Sequence, residues 1–207
     1  MEVELLNLEA IANAPLTTDP FSFFMVPGVL SAVDLAAVRA DFPQIAEPGI
    51  FSLSELIYGP AFAGLIEEIR NRKFEYVIEK KYGIDLSDKP MMISVCGEER
   101  KQDGGIRTYH TDEFVTCLLY LNDIWDDRGG RLRMLGSRND LSDYVAEIPP
   151  GGGMLASFLR SDRSWHAHEP YEGDLRYVML NWITTQASRD GLTTEAGQRD
   201  RLLQKSA

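Results

Sequence analysis

Two periodicities divide the chain near residue 90. Before it, apolar positions recur at three- and four-residue steps. Phe62, Leu65, Ile66, Ile69, Phe74, Val77 and Ile78 follow this spacing, which predicts one or two helices between Phe62 and Lys81. Lys80 and Lys81 suit the C-terminal end of such a helix, and Gly83 suits its cap. Ser31 is an N-cap for a second helix from Ala32 to Asp41, with Asp34 in its first turn and Pro43 beyond its end. Phe21 to Val26 is rich in aromatic and β-branched residues and reads as a strand between Asp19-Pro20 and Pro27-Gly28. Residues 44–59 read as an irregular connection with a short helical turn from Ser52.

After Pro90 the runs shorten and the apolar residues become β-formers. Strands are expected at Met91–Cys96, Val115–Leu121, Arg131–Leu135, Val145–Ile148, Met154–Leu159 and Arg176–Thr184. Gly97 to Gly105 reads as a polar loop. Trp125 to Gly130 reads as a loop closing on Gly-Gly, and residues 149–153 (Pro-Pro-Gly-Gly-Gly) as a tight turn. Many short strands with turn signals every ten or so residues mean a sandwich or barrel. The expected fold is mainly β (α+β), a double-stranded β-helix or jelly roll with N-terminal helices packed on one sheet. One domain is expected over 1–207: helical support over 1–90, the jelly-roll core over 91–186 and a polar tail over 187–207.

Composition narrows the function without naming it. The 207 residues carry a net charge of -11, which argues against a nucleic-acid surface, since phosphate contacts need clustered Lys and Arg. No apolar run approaches a membrane span. The first residues lack the basic start and apolar core of a signal peptide. The two cysteines, Cys96 and Cys117, give no disulfide framework and read as buried free thiols of a cytoplasmic protein.

The chemistry gathers around three histidines. His110 and Asp112 stand two residues apart, just ahead of an apolar β-run. In an extended segment they point to one side, so an imidazole nitrogen and a carboxylate oxygen can meet at one point. That is two thirds of the 2-His-1-carboxylate set that holds non-haem Fe(II). H-x-D alone is a weak signal, because a His at a strand start more often caps a turn or sits half buried. The remaining two, His166 and His168, also share a face, so alternation leaves both open as the third ligand.

Taken together, the segments around these residues resemble the Fe(II)/2-oxoglutarate-dependent dioxygenases, on their prolyl-hydroxylase-like side. The resemblance runs through His110-Thr-Asp112, Tyr120-Leu-Asn122, Gly129-Gly130-Arg-Leu132, Pro150-Gly-Gly-Gly153, His166, Pro170 and Arg176, in that order, over roughly residues 91 to 186. It implies that His110, Asp112 and His166 are the metal ligands. His166 is chosen over His168 because Pro170 and Arg176 then fall at the family's spacing. His168 is left as a neighbour at the pocket mouth, whose ordinary reading is a solvated or hydrogen-bonded histidine. The resemblance also implies that Arg176 pairs with the distal carboxylate of 2-oxoglutarate, with the Tyr120 hydroxyl joining the same group. An Arg fork suits a carboxylate better than Lys does. The expected cofactors are Fe(II), 2-oxoglutarate as cosubstrate and dioxygen, and the expected reaction is hydroxylation of a C–H bond with release of succinate and CO2. Asp112 favours hydroxylation over halogenation, since halogenating relatives carry a small residue there. Trp165, Trp182 and Phe158 are candidate pocket walls. Arg107, Arg131, Arg133, Arg160 and Arg163 are candidate charges near the mouth. The expected partner is 2-oxoglutarate, with no nucleic acid and no membrane, and a homodimer is a possible assembly. Two other classes compete: a cupin-like metal enzyme that does not use 2-oxoglutarate, and a non-catalytic jelly-roll binding module.

Overall fold

The computed structural model describes residues 4–101, 105–106 and 113–184. Among these residues the first part of the chain forms four α-helices. They are α1 (Leu8–Asn13), α2 (Ala32–Ala40), α3 (Pro60–Ile69) and α4 (Arg72–Tyr82). Ser31 caps α2, its hydroxyl accepting from the Asp34 N–H. Pro60 opens α3 at its first turn, where a missing N–H costs nothing. α4 ends on Gly83 at φ 67°, the left-handed position that glycine fills without a Cβ clash. The expected single or double helix over 62–81 is therefore two, with Asn71 capping the second.

Nine strands are described: β1 (Phe23–Val26), β2 (Ile50–Ser52), β3 (Met91–Glu99), β4 (Glu113–Tyr120), β5 (Leu132–Leu135), β6 (Tyr144–Ile148), β7 (Leu155–Leu159), β8 (His166–His168) and β9 (Gly173–Ile183). They form a major sheet in the order β1-β7-β4-β9-β3-β2 and a minor sheet in the order β6-β5-β8. Every strand-to-strand ladder in both sheets is antiparallel. The crossed strand order and the two facing sheets are those of the expected jelly roll.

Some differences from the sequence reading come from short elements and from pairing with distant strands. α1 has only 6 residues and β2 only 3, too short for periodicity to show. β2 exists because Ile50, Phe51 and Ser52 pair with Cys96, Val95 and Ser94, some forty residues away. β3 also runs past Cys96 through a bulge to Glu99, where a polar loop was expected. The bulge re-aims the side chains beyond it, and Glu99 is buried there.

Alternation along the central strands sorts side chains into two cores. Val115, Cys117 and Leu119 of β4, with Val178, Leu180 and Trp182 of β9, face the helices and pack with Phe62, Leu65, Phe74 and Ile78. Leu118 and Tyr120 of β4, with Leu175, Tyr177 and Met179 of β9, face the minor sheet and meet Leu132, Met134 and Ile148. This second, inner cluster is the barrel interior. Burial of this apolar surface supplies most of the favourable free energy at roughly 25 cal/mol per Å².

Candidate active site

His166 is reached by following β8 into the barrel. Met134 of β5 pairs with His166 and Leu132 with His168, so both imidazoles come from the minor sheet. His166 is buried, and its ring lies against Phe158, with centroids 4.5 Å apart. Phe158 stands opposite Thr116 on β4, and Glu113, next in the chain after Asp112, opens that strand. Of the three expected ligands, His166 alone is among the described residues; His110 and Asp112 lie outside them.

The chemistry of His166 suits a metal ligand. Its Nδ1 is 2.9 Å from the carbonyl oxygen of Ser164. A carbonyl only accepts, so the imidazole proton belongs on Nδ1 and the lone pair on Nε2. Ser164 is itself held, its hydroxyl donating to the Ser161 carbonyl and accepting from the Ser161 N–H. This fixes both the tautomer and the ring plane through a short turn.

Tyr120 faces the barrel interior and is fully buried. Its hydroxyl makes a 2.7 Å hydrogen bond with His168 Nε2. On the other side of that imidazole, Glu99 Oε1 lies 3.5 Å from Nδ1. The Tyr177 ring packs on both partners, with centroids 5.7 Å from each. His168 is thus drawn into the barrel rather than left at its mouth. Neither Glu99 nor this use of His168 was legible in the sequence, because Glu99 falls in a stretch read as loop.

Arg176 is not brought to Tyr120. It shares the parity of Val178, Leu180 and Trp182, which puts it on the helix-facing side of β9. Its guanidinium pairs with Asp174 at 3.0 Å and lies over the Phe42 ring at 5.5 Å. The inward positions on either side are Leu175 and Tyr177. The expected pairing of Arg176 with Tyr120 around one carboxylate is therefore corrected: adjacent residues on a strand face opposite ways.

The other candidates divide in the same way. Phe158 lines the interior beside His166. Trp182 does not; it stacks on Phe74 of α4 at 6.2 Å, on the helix side. Trp165 precedes β8, and its carbonyl accepts from the Leu135 N–H. Arg131 and Arg133 point outward from β5 and pair with Glu147, and Arg133 also meets Glu169. Arg160 reaches Asp162 at 3.7 Å, and Arg163 is exposed. Arg107 lies outside the described residues. At the start of β4, burial pushes the Glu113 carboxyl up to about 8, with Arg160 pulling the other way. Deeper in, Thr116 donates to Asn181 Oδ1 at 2.7 Å.

Residues 96–184 match the model of the 2OG-Fe(II) oxygenase superfamily. Over that segment the chain is similar to the superfamily. The matched segment begins at Cys96 in β3 and closes after β9, so it takes in the whole minor sheet and β4, β7 and β9 of the major one. A comparison with curated proteins finds no match. Solved structures share this fold. A Pseudomonas putida prolyl-4-hydroxylase superposes with a TM-score of 0.52 at 16% identity, covering 86% of this chain and 97% of that one. A Trichoplax adhaerens prolyl hydroxylase, solved with a hypoxia inducible factor peptide fragment, gives 0.53 at 16% identity, covering 85% and 88%. HygX from Streptomyces hygroscopicus, solved with nickel and 2-oxoglutarate bound, gives 0.54 at 13% identity, covering 79% and 82%. The fold is thus prolyl-hydroxylase-like, and the superfamily matched over 96–184 is one of Fe(II)- and 2-oxoglutarate-dependent oxygenases.

Proposed function

We propose that this oxygenase hydroxylates a C–H bond of a protein side chain or a small molecule, with His110, Asp112 and His166 holding the iron. The observation that carries the reading is His166: a buried imidazole, its Nδ1 proton fixed on a backbone carbonyl, inside the segment that matches the superfamily. Fe(II) with 2-oxoglutarate and dioxygen supplies the oxidant for the C–H bond, with succinate and CO2 as co-products. The chain supplies the rest. The Ser164 carbonyl orients the His166 ring and Phe158 limits its tilt. Leu118, Met134 and Met179 keep the interior apolar, so polar contacts made there are not competed away by water. Tyr120 offers a hydroxyl to the cosubstrate. We place the enzyme in the cytoplasm, a setting that suits two buried cysteines not joined in a disulfide.

A cupin-like enzyme independent of 2-oxoglutarate is the second reading, and the outward direction of Arg176 is the observation in its favour. The deciding experiment is anaerobic titration of the apo protein with Fe(II) and then 2-oxoglutarate. The expected result is a weak visible band needing both additions, and succinate release once air and a substrate are present. His166→Ala is expected to lose the band together with iron binding. Folded, iron-loaded protein that shows no band with 2-oxoglutarate would move the chain to the second reading. Folded protein that takes up no iron would make it a binding module.

A further inference from the structure

Two polar side chains of the inner face have no use in the site described so far. Asn181 of β9 is 1% exposed, and its Oδ1 is taken by the Thr116 hydroxyl at 2.7 Å. Its Nδ2 has no hydrogen-bond partner among the described residues, and neither has Oε2 of Glu113, which is 4% exposed. A buried donor or acceptor left unpaired is costly, so two of them in one place point to a ligand that pairs both. Register sets them side by side. Asn181 stands opposite Thr116 and Ile183 opposite Glu113, with an irregularity on β4 between Glu113 and Val115. Cross-strand partners share a face, and positions 181 and 183 share the parity of Tyr177 and Met179 on the inner side. Glu113 and Asn181 are thus diagonal neighbours, about 7–8 Å apart at the backbone and within reach of long side chains. They do not bond to each other. The pair lies at the end of the barrel where the iron ligands are expected. Glu113 follows Asp112 in the chain, and Phe158, which packs on His166, stands opposite Thr116.

We propose that Glu113 and Asn181 form a subsite for an N–H-bearing amide of the prime substrate, Asn181 donating to its carbonyl and Glu113 accepting from its N–H. This rests on the proposed function and names a chemical group that the hydroxylated molecule carries. An amide has one acceptor and one donor, so it pairs both orphaned groups at once. Glu113 can accept in either protonation state, because a protonated acid keeps acceptor capacity. A carboxylate in the same place would leave Glu113 unpaired and meet a second acid, and an ammonium would leave the Asn181 donor unpaired. A tertiary amide, such as the one that precedes a proline, has no N–H for Glu113. A site built to hydrogen-bond a polar group rejects the analogue that lacks it, because its own buried groups then stay unpaired. Thr116 fixes the sense of the Asn181 amide, keeping its nitrogen for the ligand.

The test uses the iron-loaded protein with 2-oxoglutarate, kept anaerobic. The visible band reports the iron site, and a shift of that band reports a molecule bound beside it. Three probes are titrated: N-methylacetamide, its ester isostere methyl acetate, and the tertiary amide N,N-dimethylacetamide. N-methylacetamide is expected to shift the band saturably, and the other two to bind about tenfold more weakly, the scale of one hydrogen bond. Asn181→Leu should weaken N-methylacetamide and methyl acetate alike, since both lose the donor to their carbonyl. Glu113→Leu should remove the preference for amide over ester, and Glu113→Gln, which keeps an acceptor oxygen, should retain most of it. Equal binding of the three probes by the wild type would overturn the inference, whatever the variants do. So would a preference for N-methylacetamide that survives both leucine variants in folded protein with its band intact. A band that forms with 2-oxoglutarate and ignores every probe would overturn it as well, with the proposed function left standing. A wild type that forms no band would remove the proposed function, and this inference with it.

Discussion

Single residues here are decided by which side of a strand they occupy. Trp182 and Arg176 share the helix-facing side of β9, and Tyr177 and Leu175 share the other. Trp182 is fully buried against Phe74, and its indole N–H reaches Glu75 at 3.4 Å. It is therefore a residue of stability and not of the pocket. Trp182→Ala is expected to cost roughly 3–5 kcal/mol of folding free energy, the usual range for a buried aromatic. Urea denaturation checks this. Cosubstrate affinity of the folded fraction should stay at the wild-type value, and a specific loss of affinity at unchanged stability would contradict the assignment.

At the scale of elements, the N-terminal segment is tied to the helices by a few charged side chains. Glu68 of α3 accepts from the backbone N–H groups of Leu5 and Leu6, at 2.7 and 3.0 Å. Lys81 of α4 donates to the carbonyls of Ala12 and Ala14, at 2.6 Å each. α1 is too short to hold itself by propensity, since isolated helices under about 12–15 residues are marginal. Its place comes from these ties and from Leu6 and Ile11, which are buried in the helix-side core. Glu68→Gln keeps the shape but removes the charge. It is expected to lose part of the roughly 1.5–3 kcal/mol typical of hydrogen bonds to a charged group. Hydrogen exchange should quicken over residues 5–14 while β4 and β9 keep their protection. Unchanged exchange in that segment would show that packing alone holds it.

For the molecule as a whole, one buried carboxylate sets an acid limit. Glu79 of α4 pairs with Arg72 at 2.8 Å and accepts from the Leu86 N–H at 2.9 Å. The Arg72 hydrogen bond first, then the Leu86 N–H, hold its carboxyl below the ordinary Glu value. A depressed folded value means the unfolded chain binds a proton more readily. The stabilisation is complete above the unfolded Glu value and drains away as pH falls through that value and the lower folded one. Wild-type stability should thus decline on acidification more steeply than that of Glu79→Gln, measured by denaturation at pH 7 and at successively lower pH. Parallel pH curves for the two proteins would refute this.

Much of this protein was readable from the chain alone, because some information is local. Periodicity located α3 and α4, the Ser31 cap and Pro43 located α2, and β-former runs between turns located β3, β4, β5, β6, β7 and β9. A cap such as Ser31 or Gly83 acts within one turn of itself. The ordered spacing from His110 to His166 carried the superfamily, and residues 96–184 match it. Tertiary structure alone decided what depends on partners far along the chain. β2 exists only through β3. The bulge that carries β3 on to Glu99 brings that carboxylate to His168. The direction of Arg176 follows from the β4–β9 register that pairs Tyr120 with Tyr177. Alternation along a strand says which residues share a face but not which face is the interior. That choice is made when two sheets and a helical layer compete to cover β9, and it turned Arg176 outward and His168 in.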